Sequence, residues 1–160
     1  KGLTEEDLPA LEEAVDSTAK LVCEVVGAEP GVLNLPGAGA AGGIGLSLHL
    51  VCGAEFVQGF GLVSDWLELT RKIQDADLIL TGEGRLDASS MHGKGPWAVI
   101  QIAVSAGRPV HAFVGSLAAE VLAALPPRAQ AHAITPDGKP LHDALAEGPQ
   151  LLDASIVRHL

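Results

Sequence analysis

The sequence predicts an α/β fold in which helices cover a parallel β-sheet, and three observations support this. The second half alternates short apolar runs, at 77–81, 110–114 and 129–134, with stretches of helical spacing. The first run, centred on Ile79, has the uniform apolar character of a strand buried on both faces. The chain of 160 residues has 19 Gly and only 3% aromatic residues, so its core must consist of closely packed aliphatic side chains. A right-handed parallel sheet is the layer architecture that suits this alternation.

Helical signals dominate the first half of the chain. Thr4 is a suitable N-cap because acidic residues follow it in the first turn, and helical spacing then continues to Gly27, a suitable C-cap. The pattern next predicts a glycine-rich segment at 36–45 and a short buried helix at 46–52 that Gly53 closes. A strand at 55–57 and an amphipathic helix at 63–73 are predicted to follow.

Turn and cap residues define the later elements. The strand at 77–81 leads into a loop from Gly82 to Gly95. The next strand ends at Gly115, so Ser116 is suited to cap the helix that follows. After the third strand, the tail from residue 141 onward predicts one or two short helices.

Charge and composition exclude several classes of function. The chain has 20 acidic against 10 basic residues, a formal net charge of -10, and no basic patch, which argues against a nucleic-acid partner. Its longest apolar runs fall short of the ~20 residues that a membrane helix needs. Cys23 and Cys52 are too few for a disulfide framework and lack metal-ligand spacing. These features predict a soluble, cytoplasmic protein with neither a membrane nor a nucleic-acid partner.

Residues 37–42 form the first candidate site, since they match G-x-G-x-x-G literally and precede a predicted helix. Such glycines let backbone amides approach an anion at a helix N-terminus. A dinucleotide-binding motif also needs an acidic residue after its second strand, whereas Glu55 stands before the next apolar run. A nicotinamide-dependent oxidoreductase and a tight packing turn are both open, and the packing turn is favoured.

Residues 81–95 form the stronger candidate site. They follow the carboxyl end of a predicted parallel strand, where α/β proteins place their ligands. The segment concentrates two carboxylates, an arginine, two serines, a histidine and a lysine between glycines. It is not a P-loop, because Ala88 replaces the first glycine of that motif and Gly95 replaces its final hydroxyl residue. An exposed polar loop is the plain alternative, but this density of functional groups after a buried strand favours a site.

Other catalytic arrangements find no support in the sequence. The six histidines show no zinc-ligand spacing, and His92, the one near the second candidate site, is assigned a supporting role. The chain contains no G-x-S-x-G motif, so a hydrolase nucleophile is not visible.

Three blocks of sequence carry a resemblance to a known family. They are the glycine-rich segment 36–45, the run Thr81–Asp87 with Ser90, Gly93 and Lys94, and the run Arg108–Val110 leading to Gly115 and Ser116. In their order and spacing, these blocks resemble the bacterial class I glycerate kinases, and the resemblance covers nearly the whole chain. Ser89 departs from the family pattern, which commonly has Gln there.

The resemblance implies that the chain is the C-terminal portion of a longer, two-domain enzyme. Residues 1–71 would end an inserted α/β domain that carries the glycine-rich loop at 36–45. Residues 72–160 would form the C-terminal half of a domain of the flavodoxin-like, Rossmann-like type. The missing N-terminal half would complete the parallel sheet and is a required partner, so the 160 residues alone are expected to be inactive. A homodimer is left open.

The implied reaction is the ATP-dependent phosphorylation of D-glycerate to 2-phosphoglycerate, with Mg²⁺ as cofactor. Asp87 is assigned as the base or substrate-orienting carboxylate, and Lys94 as the partner of the transferred phosphoryl group or the glycerate carboxylate. Glu83 is assigned as a second carboxylate that acts as base or holds Mg²⁺ through water. Contacts to substrate or phosphate are assigned to Gly37, Ala38, Gly39, Gly42, Gly43, Arg85, Ser90 and Gly93. The alternative from another class is a non-catalytic sugar-acid-binding or regulatory module that keeps the same cleft.

Overall fold

A computed structural model describes residues 4–91 and 95–160, and it has the predicted α/β architecture with a parallel sheet. These residues divide into two compact units, which we call unit 1 (4–58) and unit 2 (59–160). The compact units divide after residue 58, which is 13 residues before the domain boundary, after residue 71, that the resemblance implies. The assignment of the two parts to an inserted and a flavodoxin-like domain stays a prediction.

Unit 1 is helical. It contains α1 (Leu8–Val26), α2 (Ile44–Cys52) and two 3-10 turns, at Pro30–Asn34 and Ala40–Gly43. Both α-helices end as predicted, because Gly27 and Gly53 adopt the left-handed conformation (φ 68° in each) that closes a helix.

Two predictions for unit 1 are wrong. Thr4 does not cap α1, which begins at Leu8; instead the Thr4 amide and hydroxyl donate hydrogen bonds to the Asp7 carboxylate, at 2.8 and 2.7 Å. Residues 55–57 do not form a strand. There the Phe56 side chain packs on the glycine-rich segment, and the backbone forms no ladder.

Unit 2 contains the sheet. Its strands are β1 (Ile79–Leu86), β2 (Val110–Leu117) and β3 (Ala129–Ala133), all parallel and in the order β1-β2-β3. Its helices are α3 (Gly59–Trp66), α4 (Leu69–Asp75), α5 (Gly95–Ser105), α6 (Ala119–Ala124), α7 (Leu141–Ala146) and α8 (Gly148–His159), with a 3-10 turn at Ala88–Met91. The single helix expected at 63–73 is two helices, because Glu68 adopts a left-handed conformation (φ 50°) between α3 and α4.

The core of unit 2 lies between the sheet and its helices. On β2, the alternate residues Val110, Ala112 and Val114 are fully buried, and they join Ile100 and Ala103 of α5 in one hydrophobic cluster. Helix α8 packs against β2 as well. None of the helices in the two described stretches is long and apolar enough to cross a membrane.

Two strands are longer than the sequence predicts. β1 continues to Leu86 and β2 to Leu117, and the two stay paired at Arg85 with Ser116 and at Leu86 with Leu117. The predicted loop therefore begins only after Leu86, and both Glu83 and Arg85 lie on a strand. Ser116 is also a strand residue and not a helix cap, since Ala118 is the N-cap of α6.

Glycines explain how these strand ends approach each other so closely. A Cβ atom added at Gly82 would lie 2.4 Å from the carbonyl oxygen of Phe113, and one added at Gly115 would lie 2.3 Å from that of Gly84. No side chain fits in either place. Gly82, which the sequence assigned to a loop, thus permits strand pairing.

Candidate active site

The carboxyl end of β1 brings two of the predicted catalytic carboxylates into one segment. Glu83 lies on β1 in register with the fully buried Val114, and Asp87 follows directly after the strand. In parallel α/β sheets, this edge is where ligands bind. The structure thus places both residues where chemistry is expected, although Glu83 is on the strand itself.

Glu83 carries a buried polar atom in need of a partner. Its Oε1 is shielded from solvent and accepts no hydrogen bond within residues 4–91 and 95–160. A buried oxygen without a partner costs free energy, and such atoms are rare in native proteins. A cation or a donor group of a ligand would satisfy it.

Asp87 is held by its neighbours on both carboxylate oxygens. The amide and hydroxyl of Ser89 donate hydrogen bonds to Oδ1, at 2.9 and 2.6 Å. The Arg85 Nε atom lies 3.2 Å from Oδ2, while the Arg85 side chain stays 72% exposed. Contacts of this kind orient a carboxylate and stabilise its charged form. Ser89, at which the sequence departs from the family pattern, thus contacts the predicted base directly.

Ser90 is fully buried and its hydroxyl serves the local backbone. It accepts a hydrogen bond from the Asp87 amide (3.3 Å) and donates one to the Arg85 carbonyl (3.4 Å). The Ser90 amide in turn donates to the Asp87 carbonyl at 2.9 Å. These contacts shape the turn that presents Asp87. The predicted contact between Ser90 and substrate stays a prediction, and Gly93, Lys94 and His92 lie outside the described residues.

The glycine-rich segment forms an irregular turn in unit 1. Ala41, Gly42 and Gly43 all have positive φ values, of 52°, 72° and 82°, directly before α2. The segment follows a 3-10 turn and no strand, so the context that a dinucleotide-binding motif requires is missing here.

The Phe56 ring packs against two glycines of this segment. A Cβ atom added at Gly45 would lie 2.8 Å from the Phe56 ring, and one at Gly37 would lie 3.4 Å from it. The Ala38 amide already donates to the Leu35 carbonyl at 2.9 Å, and the Ala40 amide to the Gly37 carbonyl at 3.0 Å. Of the predicted anion contacts, Ala38 therefore has its amide engaged, while the anion-binding assignments of Gly37, Gly39, Gly42 and Gly43 remain predictions. Sequence reasoning missed Phe56, which was placed in a strand.

A cavity of about 700 Å³ lies at the carboxyl edge of the sheet. It is lined by residues 80–84 of β1, by residues 113, 115 and 116 of β2, by the segment after β3, and by α7 and α8. Lys139, which no sequence argument singled out, contributes to its wall and lies 2.8 Å from Glu147. The sequence did hold one sign of this cavity: hydroxyl residues, Ser116 and Thr135, also occur near the ends of the second and third strands.

Comparison with known proteins gives consistent matches. The family model described as the glycerate kinase family matches residues 1–159. The chain is 37% identical over 121 residues to the glycerate 2-kinase of Escherichia coli K12, covering 76% of this chain and 31% of that protein. It is 33% identical over 154 residues to the glycerate kinase of Bacillus subtilis 168, covering 96% of this chain and 40% of that protein.

A solved structure agrees with these relatives. The crystal structure of a candidate glycerate kinase 2 from Salmonella typhimurium LT2 matches with a TM-score of 0.60 and 33% identity, covering 98% of this chain and 40% of that one. The chain thus spans well under half the length of the relatives that it matches. Because the family model extends over nearly every residue, the chain belongs to the glycerate kinase family.

Proposed function

We propose that these residues are the C-terminal part of an enzyme that transfers the γ-phosphoryl group of ATP to D-glycerate and forms 2-phosphoglycerate. The observation that carries the proposal is the pair of carboxylates, Glu83 and Asp87, at the carboxyl edge of a parallel sheet. Family membership supports the choice of glycerate as the acceptor. A cytoplasmic location is part of the same proposal.

Asp87 takes the role of base in this proposal. Phosphoryl transfer demands little covalent chemistry from a protein, but it needs positioned reactants and an acceptor for the proton of the attacking hydroxyl. The glycerate oxygen forms a bond to the γ-phosphorus as the bond to the β–γ bridging oxygen breaks. The hydroxyl proton passes to the Asp87 carboxylate, and ADP leaves. The contacts from Ser89 and Arg85 fix the orientation of that carboxylate.

Glu83 is the residue that fits a magnesium ion. Mg²⁺ is usually held by one or two carboxylates together with substrate phosphates, and it neutralises phosphate charge when bound. The buried, unpartnered Oε1 of Glu83 is a suitable oxygen ligand. The described residues contain no cluster of three or more His, Cys, Asp or Glu suited to a metal, so the phosphates would have to supply the other ligands.

The cationic and anion-binding roles complete the proposal. Lys94 is assigned to the transferred phosphoryl group or the glycerate carboxylate, and Gly93 to a contact with substrate or phosphate. The Arg85 side chain is largely exposed, so it can bind the substrate carboxylate while it remains paired with Asp87. The turn at 37–43 is assigned to an anionic group of the substrates.

The proposal includes the rest of a longer protein. Within the described residues, β1 pairs with β2 alone, so its other edge has no partner in the sheet. We propose that N-terminal sequence completes the sheet there, and that residues 1–160 alone turn over little or no glycerate. Homodimerisation is retained as a proposal that an oligomeric-state measurement would address.

The decisive experiment measures ADP formation from ATP and D-glycerate by the full-length natural protein and by Asp87→Asn. Loss of the base should reduce kcat by about 100- to 1000-fold, within the usual range for general-base removal. Asp65→Asn, at an exposed position of α3 that does not line the cavity, is the matched control and should retain the wild-type kcat. Phosphorus NMR of the product would identify the phosphorylated hydroxyl.

Each other outcome has a definite meaning. Glycerate binding without turnover by the wild-type protein would support the non-catalytic module instead. Full activity of Asp87→Asn would refute the assignment of the base and leave the reaction itself in place.

A further inference from the structure

We propose that the cavity at the carboxyl edge of the sheet holds the nucleoside of the phosphoryl donor, an inference that rests on the proposed function. The cavity lies wholly within unit 2, between the ends of the three strands and helices α7 and α8. Its volume of about 700 Å³ falls within the range of sites for cofactors and small molecules.

The shape of the wall is suited to a flat ring. Gly82, Gly84 and Gly115 all contribute to the sheet side of the cavity, so three neighbouring positions have no side chain there. At Gly84 an added Cβ atom would meet nothing within 4 Å, which shows open space in front of the strand. The sheet thus offers bare backbone against which a planar group can lie.

The chemistry of the wall selects the nucleoside over the acceptor. Most of the lining side chains are aliphatic or aromatic, among them Phe113, Ile134, Leu152 and Ile156. Glycerate has three carbons, a carboxylate and two hydroxyls, so it would leave most of this volume empty and its charge poorly solvated. A purine base has two apolar faces and a few polar edges, which is the combination that such a wall accommodates.

Polar groups stand at the strand ends where a ribose would need them. Ser116, near the end of β2, and Thr135, after β3, supply hydroxyls to the wall. Lys139 supplies a positive charge, and its ion pair with Glu147 at 2.8 Å ties the segment after β3 to the start of α8. These few groups would orient the nucleoside while the apolar side chains supply contact area.

The cavity and the proposed catalytic segment share one strand. Residues 80–84 of β1 contribute to the cavity wall, and Asp87 follows the end of the same strand without lining the cavity. A nucleoside in the cavity would have to direct its phosphates past the end of β1 to reach Asp87. In this proposal unit 2 alone binds the nucleoside, and the glycine-rich turn of unit 1 is not needed for that binding.

The test fills the cavity with a larger side chain on α8. Leu152 lines the cavity and is 36% exposed, whereas Val157, on the same helix, is 84% exposed and does not line it. In the full-length natural protein, Leu152→Trp should weaken ADP binding, measured by calorimetry without glycerate, by about tenfold or more. Val157→Trp should change it by no more than about twofold, as surface substitutions generally do. The KM for glycerate should stay constant in both variants.

The outcomes separate this inference from the proposed function. If wild-type protein turns over ATP and glycerate while Leu152→Trp binds ADP normally, the cavity assignment is overturned and the function stands. If wild-type protein shows no turnover but binds ADP and loses it in Leu152→Trp, the function fails and the cavity assignment stands. Wild-type protein that fails to bind ADP overturns the cavity assignment. Circular dichroism verifies folding, and if Leu152→Trp unfolds, Leu145→Trp replaces it, since Leu145 lines the cavity at 72% exposure.

Discussion

Units 1 and 2 differ in what fixes the geometry of their candidate site residues. In unit 2, nine buried residues from β1, β2 and helices α4–α6 form one hydrophobic cluster, and the carboxylates sit on or beside a strand of the sheet. Among the described residues of unit 1, the buried hydrophobics are Cys23, Ala38 and Leu46. There α1 leaves large apolar side chains exposed, among them Leu21 at 58% and Val25 at 76%.

This difference teaches that the two segments depend on different physical causes. The glycine-rich turn of unit 1 depends on positive φ values and on the Phe56 ring behind it. The segment carrying Glu83 and Asp87 depends on strand pairing over a packed core. Substitutions should accordingly disturb unit 2 more than unit 1, and amide hydrogen exchange can measure the two units separately in one protein.

The largest effect is expected from Gly82→Ala in β1. The new Cβ atom would lie 2.4 Å from a backbone carbonyl of β2, and neither strand can yield without losing pairs of the ladder. We expect amide hydrogen exchange in β2 to show that the free energy of unfolding falls by at least about 4 kcal/mol, a loss that few single substitutions reach. Gly84→Ala is the matched control on the same strand, because its Cβ meets nothing within 4 Å. Similar losses in both variants would contradict the close-approach argument.

A smaller effect is expected when a buried side chain is truncated in each unit. Ile100→Ala removes a fully buried side chain from the cluster of unit 2 and should cost about 3 kcal/mol. Leu46→Ala in unit 1 should cost about 2 kcal/mol or less, because Leu46 already borders two cavities, of about 220 and 350 Å³, and loses fewer contacts. Exchange from the amides of β2 and α2 gives the two values. Equal losses would show that other parts of the natural protein pack tightly on unit 1, and would remove the contrast.

The fold was predictable where local signals and tertiary packing agree. Each of the apolar runs at 77–81, 110–114 and 129–134 overlaps a strand, and Gly27 and Gly53 end their helices as expected. Prediction from local sequence failed at glycines, because glycine is common in loops and also occurs where two strands approach closely. Gly82 and Gly84 predict a loop by composition, yet they lie on β1 because pairing with β2 outweighs their weak strand preference.

The candidate site was predictable only in part, for a similar reason. The clustering of Glu83 and Asp87 follows from sequence spacing, but the burial of the Glu83 oxygen is a property of the packed sheet, in which Glu83 is in register with Val114, about 30 residues further along the chain. The cavity wall brings together residues from 80 to 156, and no local pattern records their proximity. Phe56 was visible in the sequence, but its contact with Gly45 depends on a turn whose conformation no propensity rule supplies.

The smallest expected effect concerns pH and lies at the far edge of unit 2. His111 of β2, His132 of β3 and His159 of α8 converge, with 3.2 Å between a His111 and a His132 ring nitrogen, and with the His132 and His159 rings stacked at 3.9 Å. Burial lowers the pKa of His132 below its ordinary value of 6.5, and repulsion from His159 and then His111 lowers it further. The folded protein therefore binds fewer protons at His132 than the unfolded chain does. This contribution to stability is fully present above pH 6.5 and is lost as the pH falls towards and through the lowered pKa.

His132→Gln should remove this part of the pH dependence. Urea unfolding at pH 7.5 and pH 5.5 would show a smaller fall in midpoint for the variant than for the wild-type protein, since carboxylates contribute equally to both. His142→Gln is the control, because the His142 side chain is 94% exposed and should leave the fall unchanged. An identical fall in wild type and His132→Gln would contradict a lowered pKa for His132 in the folded protein.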